Sequence, residues 1–121
     1  MEKIVLYNVE HAENIIKSAA NMRIRSVMLD DGKLSSTLKD VLNDVKEYKS
    51  GDAIPEYSDS KAGIIIFCDV TDKHMDKLLF DMRKDIAKAD YKAVQTKTNS
   101  LWTITRILAQ MERESMEYNR K

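Results

Sequence analysis

One stretch of this chain concentrates residues able to hold a ligand. Lys92-Ala93-Val94-Gln95-Thr96-Lys97-Thr98-Asn99-Ser100-Leu101-Trp102 carries polar side chains from the end of an expected strand into an expected helix start, with the only tryptophan three residues after Asn99. A strand-to-helix junction of this kind gathers free backbone N–H groups, two threonine hydroxyls and an amide, a set of donors suited to a carboxylate or a phosphate. The same residues admit a local reading, in which Thr98 or Asn99 caps the helix and Trp102 packs beneath it. Lys92, Thr96, Thr98, Asn99 and Trp102 are therefore the candidate ligand-binding residues.

The rest of the chemistry-bearing inventory is thin. His11 and His74 fall in the first turns of expected helices, where the positive helix end disfavours an imidazolium, and no third ligand accompanies them, so no metal is expected. Cys68 ends an apolar run and reads as a small core residue, not as a nucleophile. The turn Asn8-Val9-Glu10-His11 after the first strand holds no glycine, which removes dinucleotide and P-loop chemistry. Met22, Met75, Met82 and Met111 lie on apolar stripes and read as core filling. No acid-base pair or nucleophile stands out, so neither an enzyme nor a cofactor is expected.

Composition bounds the partners. The 121 residues carry 20 Lys and Arg against 20 Asp and Glu, and this balance gives no global field to favour nucleic acid or an anionic membrane. A single cysteine excludes an internal disulfide framework and suits a reducing, cytoplasmic setting. The longest apolar run, Ile64 to Cys68, is far shorter than the roughly 20 residues a bilayer-spanning helix needs, and Glu10-His11 breaks the N-terminal run before a secretory core can form.

The elements that must position the candidate site follow from periodicity. Ile4 to Tyr7 predicts a strand, Ala12, Ile15, Ile16, Ala19 and Met22 a helix, and Arg25 to Leu29 a second strand closed by Asp30-Asp31-Gly32. Leu34 or Leu38, then Val41, Leu42, Val45 and Tyr48, predict a second helix capped by Ser35 or Ser36. The stretch 49–62 holds the only proline and no period, and is expected to be the most mobile internal loop. Gly63 to Cys68, apolar on both faces, predicts the central strand of a covered sheet. A helix capped by Thr71 or Asp72 follows, with Met75, Leu78, Leu79, Met82 and Ile86 on one stripe. A strand at Tyr91 to Thr98 and a closing helix through Leu101, Ile104, Ile107, Leu108 and Met111, fraying over 112–121, complete the chain.

The chain thus reads as one domain, 1–121, made of a β-α-β-α half (1–48), a loop (49–62) and a second β-α-β-α half (63–121). Leu38, Val41, Leu42 and Val45 superpose on Ile104, Ile107, Leu108 and Met111, a pattern that duplication or shared periodicity alone would give. Two architectures fit. The favoured one interleaves the units into a ferredoxin-like α+β sandwich around a four-stranded antiparallel sheet; the other is a small doubly wound parallel sheet with helices on both faces.

The Lys92-Ala93-Val94-x-Thr96-x-Thr98-Asn99-x-x-Trp102 stretch resembles a signature of the small bacterial proteins grouped as domain of unknown function 3783. The likeness extends to Phe67, Asp76-Lys77-Leu78-Leu79 and Arg83-Lys84, and more loosely to Ile4 through Asn8, while 49–62 is longer and more polar than the family pattern. It implies a compact cytosolic α/β domain of firmicute-type bacteria, with no established activity. Together these readings predict a binding or regulatory module that receives a small anionic ligand or a partner's carboxylate at 96–102. The competing expectation is a structural or homodimeric interaction domain, built on a sheet edge or on the last helix.

Overall fold

The structure is a computed structural model that describes residues 1–84 and 86–119, with side chains through Met116. In chain order the elements are β1 (Lys3–Tyr7), α1 (Ala12–Asn21), β2 (Arg25–Leu29), α2 (Leu38–Asp44), β3 (Ile64–Cys68), α3 (Asp72–Arg83), β4 (Tyr91–Val94) and α4 (Ile104–Asn119). Short 3₁₀ turns, Asp31–Lys33 and Asn99–Leu101, precede α2 and α4. No helix among the described residues is long and apolar enough to cross a membrane.

Strands whose side chains are apolar on both faces must be covered on both faces, and β1 and β3 are the two that qualify. They take the two central places in the order β2-β1-β3-β4, and all five residues of β3 are buried. Alternation then sorts their side chains into two cores. Ile4, Leu6, Ile65 and Phe67 face Ile15, Ile16 and Ala19 of α1 and Leu78 and Met82 of α3. Val5, Tyr7, Ile64, Ile66 and Cys68 face Leu38 and Val41 of α2 and Ile104 and Ile107 of α4. The result is a three-layer α/β arrangement around a mixed sheet.

The interleaved, ferredoxin-like order expected from the sequence is not the one observed. β1 and β2 are adjacent and parallel, as are β3 and β4, and only the central β1–β3 pair is antiparallel. Interleaving requires β2 to turn directly into β3 as a hairpin; here α2 and the loop 49–62 intervene, so each unit pairs its own strands across a helical crossover. The all-parallel alternative fails at the β1–β3 pair, although its helices on both faces are present.

The halves are arranged about an approximate twofold axis. Val5 lies opposite Ile66 at the middle of the central pair. At the starts of α2 and α4, the Leu38 N–H donates to the Trp102 carbonyl and the Ile104 N–H to the Ser36 carbonyl, each at 3.0 Å. Asn8 and Asp69, the residues immediately after β1 and β3, both adopt left-handed backbone (φ 51 and φ 57).

Helix limits differ from the periodicity at three places. Thr37, rather than Ser35 or Ser36, caps α2 by accepting from the Asp40 N–H at 3.1 Å, and α2 ends at Asp44. Val45 and Tyr48 keep helical spacing for another reason: Val45 packs in the α2–α4 core and Tyr48 against the α1–α3 core, so the chain between them wraps around the sheet edge from one face to the other. Ile86 lies beyond the end of α3, where its carbonyl accepts from the Asn14 side chain at 2.6 Å and neighbouring Lys88 bridges Glu10. The helix α4 continues to Asn119 instead of fraying from 112; Arg120 and Lys121 lie outside the described residues.

The 49–62 loop is anchored at its C-terminal end. Asn8 donates to the carbonyls of Ser58 and Lys61, each at 2.8 Å, and accepts from the Ser58 N–H at 2.9 Å. Gly63 follows, and a Cβ there would stand 2.0 Å from the Asn8 carbonyl oxygen, so only glycine allows this approach.

Candidate functional site

The five candidate residues come from the end of β4, the turn after it and the start of α4. Lys92, Thr96, Asn99 and Trp102 line one groove of about 370 Å³ with Val94, Met111 and Glu114; Thr98 is not among its lining residues. Trp102 is half-buried against the α2–α4 core, and the Arg106 guanidinium lies 4.2 Å from its ring centroid, a stacked cation–π contact.

Asn99 does not begin the final helix. It opens the 3₁₀ turn, and Thr103 caps α4 by accepting from the Arg106 N–H at 3.1 Å. The Asn99 side chain turns back on its own loop, accepting from the Thr96 N–H at 2.7 Å and donating to the Val94 carbonyl at 3.0 Å, while the Asn99 N–H donates to Thr96 Oγ1 at 3.0 Å. Ser100 and Trp102 N–H groups are also satisfied inside the turn, by the Thr96 and Asn99 carbonyls. The donors that spacing assigned to an anion are thus largely spent on shaping the turn.

What the groove leaves open is the strand edge. The Tyr91 and Gln95 N–H groups donate to Gly63 and Phe67 carbonyls of the β3 side, so strand alternation turns the N–H and C=O of Lys92 and Val94 outward. No strand pairs with that outer edge among the described residues. Val94 is 50% exposed, Lys92 is exposed, and of these outward groups the Val94 carbonyl is the one Asn99 covers.

Two groupings escaped the sequence reading because each joins residues far apart in the chain. Tyr7 donates to Asp31 at 2.6 Å and Lys61 contacts the same carboxylate at 2.5 Å. Burial and then the Asp31 carboxylate push the Tyr7 hydroxyl up to about 12, while Lys61, followed by Tyr7, holds Asp31 below the usual carboxylate range. At the other end of the sheet, Glu2 accepts from the Thr71 N–H at 3.0 Å and meets His74 Nδ1 at 2.7 Å, and the Thr71 bond is the main cause that lowers its pKa. His11 is exposed just before α1 with left-handed backbone, its ring 3.8 Å from the carboxylates of Glu10 and Glu13. The Cys68 thiol is pushed up to about 12 by burial and then by Asp69, which leaves it unreactive. No group of three or more His, Cys, Asp and Glu side chains among the described residues is placed to hold a metal ion.

Fold and site together define a small three-layer α/β domain of two βαβα units, with an open strand edge beside its last helix. Residues 63–118, which make up most of the second of the two units, match the family described as Domain of unknown function (DUF3783). The looser likeness at Ile4 to Asn8 falls outside the matched span. No curated protein and no solved structure matches the chain.

Proposed function

We propose that this chain is a protein-binding module whose receiving surface is the outer edge of β4 and the groove between it and α4, and that the bound element is an extended, acidic segment of a partner. The observation that carries this reading is the fate of the equivalent edge in the first half. There the chain covers β2 with its own residues: the Tyr48 N–H donates to the Ser26 carbonyl at 2.7 Å, and Glu47 pairs with Arg25 at 3.0 Å and with Lys3 at 3.3 Å. Register places Ser26 opposite Ile4 and Lys92 opposite Ile65, the corresponding second position of each edge strand. An acidic residue beside an aromatic one thus occupies on β2 the place that stands open at Lys92. A partner strand would extend the sheet through the outward groups of Lys92 and Val94, a known mode of peptide capture. Its carboxylate would meet the Lys92 ammonium, and its apolar side chains on the opposite face of the strand would lie against Trp102 and Met111.

Selection of displayed ten-residue peptides on the full chain tests this. Acidic, β-prone sequences should be enriched, and binding should drop at least tenfold in Lys92→Glu, which reverses the charge, and in Val94→Pro, which removes an outward N–H. Equal enrichment on the Val94→Pro chain would refute the strand-addition reading. A mass that rises with concentration and is abolished by Val94→Pro would replace the foreign partner with a second copy of the chain.

A further inference from the structure

On the opposite edge of the sheet, beneath the C-terminal end of α1, lies a larger groove of about 610 Å³. That volume is within the range of small-molecule sites, roughly 300–1,000 Å³. Ile16, Ala20 and Ile24 give it an apolar wall, Tyr48 an aromatic one, and Arg23, Arg25 and Lys49 bring positive charge. The acid in its lining, Glu47, is already engaged by Arg25 and Lys3. Asp52, close by, accepts from the Lys49 backbone N–H at 2.8 Å and pairs with Lys46 at 3.5 Å. Arg23 enters no ion pair among the described residues, and Lys49 acts on Asp52 electrostatically without a close pair, so the groove holds an excess of positive charge over an apolar wall.

An independent observation points to a ligand at the same place. Ser26 lines the groove and is only 3% exposed, and its Oγ is buried with no hydrogen-bond partner, the single such side-chain atom among the described residues. The Ser26 backbone carbonyl is satisfied by Tyr48; the hydroxyl is not. Buried hydroxyls rarely go unpaired, because the desolvation they suffer is then uncompensated.

We infer that this groove binds a small organic anion with an apolar body, a carboxylate or a phosphate ester. The anionic head sits between Arg23 and Lys49, the body lies along Ile16, Ala20 and Tyr48, and a polar atom of the ligand pairs with Ser26 Oγ. Because that oxygen is closed to solvent, the ligand reaches it as the Glu47–Lys49 segment, which forms neither helix nor strand, shifts outward.

The test is a titration of the isotope-labelled full chain with phenyl phosphate, benzoate and inorganic phosphate, followed through backbone amide shifts. Phenyl phosphate or benzoate should give saturable shifts confined to 16–26 and 47–49. Inorganic phosphate, which lacks the apolar body, should bind at least about tenfold more weakly. Arg23→Gln, at an exposed position, should weaken the organic anion at least about fivefold, and Ser26→Ala about threefold, both with unchanged shifts elsewhere. The inference is overturned if neither organic anion gives saturable shifts there, if inorganic phosphate binds equally well, or if both variants bind like the parent.

Discussion

The two edges of the sheet are built from equivalent strands and end differently. After β2 the helix α2 lasts seven residues, and the chain returns across the strand edge, carrying Tyr48 from one face to the other and closing the Ser26 carbonyl. After β4 the helix α4 runs for sixteen residues, and among the described residues no strand pairs with the outer edge of β4, so Lys92 and Val94 keep outward backbone groups. The junctions behind the edges differ in the same sense. Asp31 is tied to Tyr7 and to Lys61 of the central loop, whereas the Asn99 side chain bonds Thr96 of its own turn and Val94 at the end of β4. Equivalent backbone therefore does not imply equivalent availability. On the β2 edge Tyr48 covers the Ser26 carbonyl and Glu47 pairs with Arg25 and Lys3; on the β4 edge the side chain of Asn99 covers the Val94 carbonyl, and Lys92 stands alongside.

The comparison assumes a shared centre, and the largest expected effect tests that. Ile65 is fully buried in β3, next to β1, and Ile65→Asp would bury an unpaired carboxylate at a cost of about 3 kcal/mol or more. Denaturant unfolding should show the loss in both halves at once. A second-half loss with the first half still folded would break the picture of one sheet with two edges.

The next effect concerns the closed side alone. Tyr7 is 4% exposed and its hydroxyl pKa is raised from 10.0 to about 12, chiefly by burial and then by Asp31. A raised pKa means that the folded state resists deprotonation. The associated stability is whole below the unfolded value near 10, and is lost as pH rises from there through about 12. The loss should be on the order of 2 kcal/mol, and Tyr7→Phe should remove that share of the alkaline decline, leaving the share that comes from the buried Cys68 thiol. A Tyr7→Phe protein with the parent's full alkaline decline would detach this hydroxyl from the closed junction.

Much of the architecture was legible because burial imposes a period. The unbroken apolar run of β3 announced a central strand, and the stripes of α1 and α3 announced helices. Strand order was not legible, since it depends on where α2 and a long connection deliver the chain, and neighbouring residues do not record that. Val45 and Tyr48 misled for a related reason: two apolar residues three apart look like a helix stripe even when they serve cores on opposite faces of the sheet. At the candidate site, spacing gathered Lys92, Thr96, Asn99 and Trp102 around one groove, yet it could not show that the Asn99 amide points back at Thr96 and Val94. The open β4 edge was foreseeable only as an exposed sheet edge in general. Which edge stays open follows from the lengths of α2 and α4.

Asn99 gives a smaller effect that sharpens the description of the open side. Asn99→Ala loses both side-chain bonds and should cost about 1–2 kcal/mol. Asn99→Asp keeps the acceptor for the Thr96 N–H but sets a carboxylate oxygen against the Val94 carbonyl, where the amide had donated. It should cost about 1 kcal/mol, measured by thermal unfolding at neutral pH. An Asp variant as stable as the parent would mean that the Val94 carbonyl needs no shield.

The smallest effect decides between the edges most directly, through one proline on each. Proline removes an N–H, and the cost depends on whether that N–H has a partner. Tyr48→Pro deletes the donor that closes the Ser26 carbonyl, and should cost about 1–2 kcal/mol. Val94→Pro deletes an N–H that points away from β3, at the end of an edge strand where the proline ring meets no neighbouring strand. Its cost should stay below about 0.5 kcal/mol, because edge positions with outward N–H groups tolerate proline. The two variants therefore separate a closed edge from an open one without knowledge of any partner. If Val94→Pro were as costly as Tyr48→Pro, the β4 edge would already be paired in solution. The strand available for capture would then be occupied in the isolated protein, and a mass measurement on parent and variant would show whether a second copy of the chain occupies it.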